Sequence, residues 1–471
     1  MKITFHGAAK QVTGSAHRLE IGPYQILLDC GLFDSDRVDP NSPNRSFTFE
    51  PRDLDAVIVS HAHNDHIGRL PCLIKAGYRG PVFLTHATAD ITSVMLRDSA
   101  RIQREDARNG GARNQGRGQA QQPQVATAPL EPLFELNDVE WLVEQFHRLP
   151  YREPTEILPG IHLTLHDAGH ILGSAIIQID YEEEGEPRRF VFTGDLGRLN
   201  TGLLPNPSPV RDIDILVTES TYGAKELEPN EKLMKQLHAI VARATRLQSR
   251  ILIPAFSLGR TQRMVYCLQE LFAKHKVRPI PVFVDSPLAN RLTQIHRDFP
   301  DAYTPEAREI MDPDPMYFGS KYVEFCESWE DSRRLNYQPG PAVIIASSGM
   351  CEAGRIRHHL KHTVENPDNA IVIVSYQAEN TLGRKISDGV ERIQIMDQWY
   401  ELNAAVYVLD GFSGHADRND LGWWYEQTGG KIGKGFLVHG EVESMESLSS
   451  VLQPFVETEV IIPDRLDTYE V

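Results

Sequence analysis

Three histidines and an aspartate follow directly on an apolar, strand-like run near the start of the chain. The run LDAVIVS (residues 54–60) is rich in β-branched residues, which predicts a buried strand. The next six residues, HAHNDH, contain His61, His63, Asp65 and His66. Imidazole nitrogen and carboxylate oxygen are typical zinc ligands, and two ligand pairs from one loop can serve two adjacent ions. The pattern predicts a metal site at the end of a core strand.

Two metal ions need more ligands than this loop supplies, so other strand ends should contribute. Three segments have the required form, in which an apolar strand is followed by a ligand beside a glycine. They contain His170 in HDAGHILGSA, Asp195 in FVFTGDLGR and His439 in GFLVHGE. Each of these residues alone is more often an ordinary turn residue, but their shared context predicts one common site.

The strand and helix signals change character along the 471 residues, a length that predicts two or three domains. Short strand-like runs dominate the N-terminal part. From about Lys225 to Leu409 helices and strands alternate, which predicts a mostly parallel sheet covered by helices. Strand signals return in AVYVLDG and GKGFLVHG. The segment 107–129 is rich in Gly, Gln, Asn and Arg, which predicts a mobile loop.

Composition excludes several classes of protein. No apolar run approaches the roughly 20 residues that span a bilayer, so no membrane partner is expected. The first residues, MKITFHGAAKQVTG, lack the apolar core of a signal peptide. The five cysteines are scattered without a C-x-x-C pair, which is typical of reduced thiols. These features predict a cytoplasmic protein.

The charge distribution leaves a phosphate-rich substrate open. The formal net charge of -17 argues mildly against a polyanionic partner, because nucleic-acid binders usually carry a basic surface. Two central segments are nevertheless basic. The span from Arg243 to Arg263 holds five arginines and no acidic residue, and GRIRHHLKH (residues 354–362) adds two arginines and a lysine. Either segment alone is more often a solvated helix face.

The motifs together resemble a known family over nearly the whole chain. HAHNDH, with AGH…GSA and TGDLGR, resembles the metallo-β-lactamase fold, whose most specific mark is an H-x-H-x-D-H loop. The segments ILLDCG, TESTYG, PAFSLGRTQ, SSGM, GFSGHAD and VHGE narrow the resemblance to the β-CASP nucleases. Closest is the branch that contains the endonuclease subunit of the cleavage and polyadenylation specificity factor.

This resemblance implies an α/β protein, a metallo-β-lactamase αββα sandwich with an inserted β-CASP α/β domain. The expected limits are residues 1–223 and 410–471 for the two parts of the sandwich, the second being an RNA-specificity segment. The inserted domain would cover residues 224–409.

The resemblance also implies a role for each motif residue. One zinc ion would be held by His61, His63 and His170, and a second by Asp65, His66 and His439, with Asp195 bridging the two. Asp29, at the end of ILLDC, would lie outside the ligands and orient them. The expected cofactor is therefore two Zn²⁺ per chain.

The same residues predict metal-assisted hydrolysis of a phosphodiester bond. Two metal ions would activate the attacking water and stabilise charge on the attacked phosphate, while Asp65 or Asp195 orients that water. The resemblance pairs Glu219, in TEST, with His415, in SGHA, and a histidine supported in this way would protonate the leaving oxygen. The resemblance implies RNA as the substrate, so the expected activity is zinc-dependent endonucleolytic cleavage of single-stranded RNA, with 5′-to-3′ exonuclease activity left open.

Five further residues are candidates for contact with substrate phosphates: Arg260, Ser348, Arg355, Arg384 and Ser413. The SSGM segment ends a strand and precedes a helix-like stretch, a junction where backbone N–H groups favour an anion. Each of the three arginines has an alternative interpretation as a helix cap or an ion-pair partner.

Three other functions are weighed against the ribonuclease. A DNA nuclease of the crosslink-repair β-CASP branch is less favoured, since the resemblance implies valine rather than histidine at His439 in such proteins. A small-molecule hydrolase of this fold, such as a thioesterase or lactamase, is also less favoured. It would need neither the inserted domain nor the His415–Glu219 pair, and the sequence offers both. A metal-free scaffold is less favoured, because it would not need the metal ligands and every expected one is present in this sequence. The preferred RNA, the cleavage mode and the oligomeric state, including a homodimer, stay open.

Overall fold

The computed structural model describes residues 1–34, 39, 41–108, 131–274, 277–311 and 322–471. The predicted loop at residues 107–129 lies outside these residues, except for its first two. Those two residues, Ala107 and Arg108, are the last residues of the helix His86–Arg108, so the helix extends two residues into the predicted loop.

In the described part of the chain, seven strands form the first sheet, in the spatial order β22-β1-β2-β3-β4-β5-β6. Their bounds are β1 (Lys2–Phe5), β2 (His17–Ile21), β3 (Tyr24–Leu28), β4 (Ala56–Ile58), β5 (Val82–Thr85), β6 (Phe146–Leu149) and β22 (Thr468–Glu470). The strands from β22 to β3 pair antiparallel, and those from β3 to β6 pair parallel.

The second sheet has the order β21-β20-β11-β10-β9-β8-β7 in the described residues. Its strands are β7 (Thr155–Leu158), β8 (Ile161–Asp167), β9 (Ala175–Glu183), β10 (Glu186–Phe192), β11 (Ile215–Glu219), β20 (Lys434–Val438) and β21 (Val460–Ile461). Pairing is antiparallel from β7 to β10 and parallel from β10 to β21.

The third sheet is parallel throughout its described strands, in the order β14-β13-β15-β12-β16-β19. Its strands are β12 (Arg250–Pro254), β13 (Val282–Asp285), β14 (Val323–Phe325), β15 (Ala342–Ala346), β16 (Ala370–Ile373) and β19 (Ala405–Val408). A separate hairpin is formed by β17 (Arg392–Ile395) and β18 (Gln398–Glu401). The predicted parallel sheet is therefore present, and the strands change sheet between β11 and β12 and between β19 and β20.

The described helices cover the faces of these sheets. They are α1 (Asn64–Ile67), α2 (Leu70–Lys75), α3 (His86–Arg108), α4 (Leu136–Glu144), α5 (Asn230–Leu247), α6 (Arg260–Lys274), α7 (Pro287–Asp298), α8 (Pro305–Met311), α9 (Trp329–Leu335), α10 (Ile356–Lys361), α11 (Leu382–Ser387), α12 (Arg418–Gln427) and α13 (Val442–Leu452). Short 3₁₀ helices occur at Pro51–Asp53, Pro300–Ala302, Asp410–Phe412 and Gln453–Phe455.

The first two sheets pack face to face around one apolar core. In β4, Ala56 and Ile58 belong to this core, whereas Val57 faces the cluster under α2, α3 and α4. A strand buried on both faces reads as a continuous apolar run, which explains the sequence LDAVIVS. Helices α12 and α13 cover the outer face of the second sheet through residues such as Trp424 and Leu448. The layers confirm the predicted αββα sandwich.

The third sheet has helices on both faces and rests against the sandwich. Helices α5 and α6 pack on one face, and α10 and α11 pack on the other. Leu292 of α7 joins the core cluster that contains α3, and Arg291 donates to Asp98 of α3 at 2.7 Å. In the part of the chain that the structure describes, no helix has the length and apolarity needed to cross a membrane.

Candidate active site

The HAHNDH loop joins the end of β4 to the short helix α1, and its backbone is fixed from both sides. His63 is the N-cap residue of α1. Ser15 N–H donates to the carbonyl of Asp65 at 2.8 Å, and Cys30 N–H donates to the carbonyl of His66 at 2.8 Å. A side chain at Gly31 would lie 1.6 Å from the carbonyl oxygen of Asp65, so only glycine allows this close approach. The loop is therefore held rigidly at the sheet edge.

One cluster of potential metal ligands joins this loop to the β8–β9 connection. His63 Nδ1 lies 3.0 Å from His61 Nε2 and 3.2 Å from His170 Nε2. Asp195 Oδ2 lies 3.3 Å from His61 Nε2 and 3.6 Å from His170 Nε2. All four ligand atoms lie within 4.8 Å of one another. Four donor atoms converge here from three different strand ends.

A second cluster lies on the other side of Asp195. His66 Nε2 and His439 Nε2 are 3.1 Å apart, and Asp65 Oδ2 is 3.4 Å from His439 Nε2. Asp195 Oδ1 lies 3.4 Å from His66 Nε2 and 3.7 Å from His439 Nε2. All seven predicted ligands are thus brought together, and the two oxygens of Asp195 face different clusters.

The electrostatics of these groups suit metal cations. Both oxygens of Asp195 are buried and have no hydrogen-bond partner among the described residues. A buried carboxylate without partners is costly, so a cation between each oxygen and its cluster would compensate. Burial, together with neighbouring His61, lowers the pKa of His63 to about 3. Burial and the neighbouring His415 hold the pKa of His170 well below its usual value. Neutral imidazoles are the form that binds metal.

Asp29 supports the second cluster from behind. Its Oδ2 lies 2.7 Å from His66 Nδ1, and its two oxygens accept the N–H and hydroxyl of Ser60 at 2.8 and 2.9 Å. Occupying Nδ1 in this way leaves Nε2 of His66 free to point at a metal. Asp29 has a φ of 58°, a left-handed conformation that aspartate and asparagine tolerate better than most residues.

Asp29→Asn is expected to weaken metal binding by about 10- to 100-fold, the usual cost of losing a partner that orients a ligand. The amide can keep the backbone conformation but loses the charge that holds His66. Zinc affinity measured by chelator competition checks this. The matched control is Asp212→Asn, since Asp212 is exposed and has a similar φ of 56°. Equal affinities in the two variants would contradict the orienting role.

Two further contacts orient ligands and were not predicted from the sequence. His170 Nδ1 lies 3.0 Å from the carbonyl oxygen of Gly414, and His439 Nδ1 lies 3.1 Å from Thr221 Oγ1. Both partners stand inside motifs that the sequence singled out, SGHA and TEST. Nothing in a single sequence indicates which backbone carbonyl a histidine reaches.

His415 and Glu219 form a pair at the rim of the two groups of candidate metal ligands described above, which are together called the metal clusters. His415 Nδ1 lies 3.2 Å from Glu219 Oε2 and 3.7 Å from Asp195 Oδ2. Glu219 is fully buried, and its other oxygen accepts the N–H of Leu196 at 2.6 Å. Burial would lower the pKa of His415, but the carboxylates of Glu219 and Asp195 outweigh it and raise the pKa to about 9. The side chain of His415 is 21% exposed, and its Nε2 has no hydrogen-bond partner among the described residues.

Asp195, Glu219 and His415 together could also hold a cation by distance alone. We interpret them differently, because one oxygen of Glu219 already accepts a backbone hydrogen bond. Asp195 Oδ2 also lies closer to His61 than to His415. His415 is therefore better described as the partner of Glu219, beside the two groups of ligands, than as a ligand itself.

The candidate phosphate contacts differ in how far they are already engaged. Arg355 donates to Asp285 at 2.6 Å, and Arg384 donates to Asp388 at 2.9 Å. The guanidinium of Arg260 has no hydrogen bond or ion pair with any described residue. Burial, with neighbouring Arg263, lowers the pKa of Arg260 to about 9. An unpaired, half-buried cation is favourably placed to receive an anion.

The two candidate serines lie on different loops. Ser413 is buried, and its hydroxyl accepts the N–H of His415 at 3.3 Å. Ser348 lies between β15 and α10, where its hydroxyl donates to the carbonyl of Ala353 at 3.3 Å. Ser413 is therefore adjacent to the metal clusters, whereas Ser348 belongs to a loop of the third sheet.

Comparison with known proteins places the chain in a family. Three family models match: a metallo-β-lactamase superfamily domain over residues 18–188, a Beta-Casp domain over 261–386, and a Zn-dependent metallo-hydrolase RNA specificity domain over 399–463. Ribonuclease TTHA0252 of Thermus thermophilus is 34% identical over 452 residues, covering 96% of each chain. Transcription termination factor FttA of Methanocaldococcus jannaschii is 30% identical over 100% of this chain and 72% of its own length.

A solved structure shares the fold at low sequence identity. A protein of unknown function from Enterococcus faecalis V583 superposes with a TM-score of 0.54 at 13% identity, covering 99% of both chains. The family matches cover both the sandwich and the third sheet, and the two relatives are 34% and 30% identical to nearly the whole of this chain. The chain is a member of the β-CASP ribonuclease family, with the metallo-β-lactamase fold.

Proposed function

We propose that the chain hydrolyses phosphodiester bonds in single-stranded RNA, using two zinc ions held on either side of Asp195. The observation that carries this proposal is the convergence of seven ligands on two clusters, with one oxygen of a buried carboxylate directed at each. A site for one metal would not need that second oxygen to face three further ligands. The proposed mode is endonucleolytic, with 5′-to-3′ exonuclease activity left open.

The ligands divide as the two clusters do. His61, His63 and His170 would hold one ion, Asp65, His66 and His439 the other, and Asp195 both. When bound, the ions lower the pKa of a water molecule and neutralise charge on the attacked phosphate. Asp65 has a 30% exposed side chain, so its carboxylate can accept a hydrogen bond from the attacking water and orient it.

His415 would supply the proton that the leaving sugar oxygen needs. Glu219 lies against Nδ1 of the imidazole and keeps it charged, which leaves Nε2 as the proton donor. The partial exposure of His415 allows substrate to reach it. A histidine that is held and charged in this way can act as a general acid.

Arg260 is the strongest of the proposed phosphate contacts, since its guanidinium has no partner among the described residues. It begins helix α6, three residues before Arg263, which donates to the carbonyl of Ser413 at 2.7 Å. Ser413 is two residues from His415. This chain of contacts supports a position for Arg260 near the proposed reaction site.

Arg260→Ala is expected to weaken binding of single-stranded RNA. The slope of log K against log salt concentration should become less steep by about 0.7, the value for one phosphate contact with a single strand. Affinity measured at several salt concentrations checks this. The control is Arg392→Ala, because Arg392 is exposed and pairs with Glu401 on the β17–β18 hairpin. If both variants show the wild-type slope, Arg260 does not contact a phosphate.

RNA is favoured over DNA as substrate. The match to an RNA specificity domain spans residues 399–463, which include His415 and His439. Two relatives that cover nearly the whole chain are named for ribonuclease and for transcription termination functions. A DNA nuclease or a small-molecule hydrolase has no comparable support.

The proposal is tested by incubating zinc-loaded protein with 5′- and 3′-labelled single-stranded RNA and with DNA of the same sequence. We expect internal RNA fragments and little DNA cleavage. Mononucleotides released from the 5′ end would add exonuclease activity. Cleavage of DNA at the rate of RNA would favour the crosslink-repair alternative, and no cleavage of either would refute the proposal.

Three further expectations accompany this function. The domain limits 1–223, 224–409 and 410–471 are supported by the changes of sheet along the chain. A cytoplasmic location is supported by five cysteines that are all free and buried. A homodimer remains a prediction, to be tested by light scattering.

A further inference from the structure

Two aromatic side chains are exposed just beyond the carboxyl ends of neighbouring strands in the third sheet. Phe256 follows β12 and is 39% exposed, and Tyr376 follows β16 and is 55% exposed. Strands β12 and β16 pair parallel, with Leu252 opposite Ile371. The two strands therefore end side by side, and both rings lie at the same edge of the sheet.

The two aromatic residues border one loop. A Cβ atom added to Gly349 would lie 3.1 Å from Cδ2 of Phe256, so the ring packs against the backbone at this glycine. From the other side, Gln377 Nε2 donates to the carbonyl of Gly349 at 3.0 Å, directly after Tyr376. The loop thus contacts the ring of Phe256 and is hydrogen-bonded to the residue that follows Tyr376.

This edge of the third sheet lies against the segment that follows one of the candidate metal ligands. Leu258, two residues after Phe256, belongs to the same core cluster as Ile171 and Leu172, which follow the ligand His170. A Cβ atom on Gly259 would lie 2.8 Å from Cγ2 of Ile171. The segment that carries Phe256 therefore contacts the segment that carries a metal ligand.

Polar groups on the same edge suit a sugar–phosphate backbone. The hydroxyls of Ser257, Ser286 and Ser347 lie 2.8 to 3.2 Å from one another. Arg260, with its unpaired guanidinium, begins the helix that follows Phe256. Aromatic rings beside hydroxyl and cationic groups form the usual combination that binds single-stranded nucleic acid, in which the rings receive the bases.

We propose that Phe256 and Tyr376 form a stacking platform for bases of the single-stranded RNA that leads into the metal clusters. This inference rests on the proposed ribonuclease function. Every base has a flat aromatic face, so the platform would hold a strand of any sequence. It would keep the chain extended and position one phosphate for hydrolysis.

The test removes the ring and the base separately. Zinc-loaded wild type, Phe256→Ala and Tyr376→Ala are assayed on a labelled oligoribonucleotide and on a series in which one nucleotide at a time is abasic. Each alanine variant should lower kcat/KM by about 5- to 100-fold on intact RNA, the effect of losing one stacked base. The loss should lie mainly in KM, because stacking binds ground state and transition state alike.

The abasic series identifies direct stacking. At one position in the RNA, removal of the base should lower the kcat/KM of the wild type by as much as the alanine substitution does on intact RNA. The same abasic RNA should lower the kcat/KM of the alanine variant only slightly further. Tyr376→Phe should retain the wild-type value, since only the ring is needed. Trp399→Ala is the matched control: its ring is 59% exposed, but its hairpin leads into the amino end of β19, at the opposite edge of the sheet.

Thermal unfolding of each variant confirms that it folds, and Tyr376 is exposed enough that its loss should not disturb the core. The platform is refuted if both alanine variants keep the wild-type kcat/KM. It is also refuted if, at every position of the RNA, the substitution and the removal of the base lower kcat/KM independently, so that their effects multiply. Failure of the wild type to cleave intact RNA would refute the ribonuclease function itself and this inference with it.

Discussion

Asp195→Asn is expected to remove metal from both clusters and to lower RNA cleavage by more than about 100-fold, since even partners that merely orient ligands cost about 10- to 100-fold. The carboxylate directs Oδ2 at His61 and Oδ1 at His66, at 3.3 and 3.4 Å. An amide has one oxygen and an NH₂ group that cannot bind a metal. It also lacks the negative charge that balances two cations. One substitution should therefore damage both sites.

Elemental analysis after zinc reconstitution, combined with the cleavage rate, measures this effect. Asp180→Asn is a suitable control, because Asp180 accepts a hydrogen bond from Arg189 on the second sheet and is not among the metal ligands. It should keep the wild-type metal content. Retention of a full metal complement by Asp195→Asn would contradict the bridging arrangement.

His415→Ala is expected to keep near-normal zinc content and RNA affinity but to lose about 10²- to 10⁴-fold in cleavage rate, the usual contribution of a positioned acid. The seven ligands form their clusters without His415. Its imidazole instead lies against Glu219 and leaves Nε2 free. Glu219→Gln should lose less, because the imidazole remains but is less strongly held in its charged form.

A change of leaving group separates proton donation from a structural role. A nitrophenyl phosphodiester has a leaving group that departs without protonation, so His415→Ala should cleave it almost as fast as the wild type does. RNA, with a poor leaving group, should be cleaved far more slowly. An equal loss on both substrates would exclude His415 as the acid.

The convergence of the seven candidate ligands could be predicted because each stands in a local pattern with a physical reason. A strand that ends in HAHNDH exposes donor atoms at one edge of a sheet, and glycine-flanked ligands after β8, β10 and β20 reach the same edge. The distances within 4.8 Å depend on the packing of two sheets, yet the pattern of strand, ligand and glycine is visible in the sequence.

Other features depend on contacts between distant residues and leave no such pattern. The carbonyl of Gly414 orients His170 across 244 positions of sequence. The ion pair that engages Arg355, the N-cap residue of α10, comes from Asp285 at the end of β13. A basic segment therefore does not reveal which arginine is free. The placement of Phe256 and Tyr376 at neighbouring strand ends follows from strand order, which the alternation of helices and strands does not determine.

The most direct test of the account is a zinc titration of metal-free protein while cleavage of labelled single-stranded RNA is followed. We predict no cleavage without metal and a rate that rises until about two ions are bound per chain, as expected for a two-metal hydrolase. Full-rate cleavage by metal-free protein would contradict the account. Zinc-saturated protein that leaves RNA intact would contradict it equally.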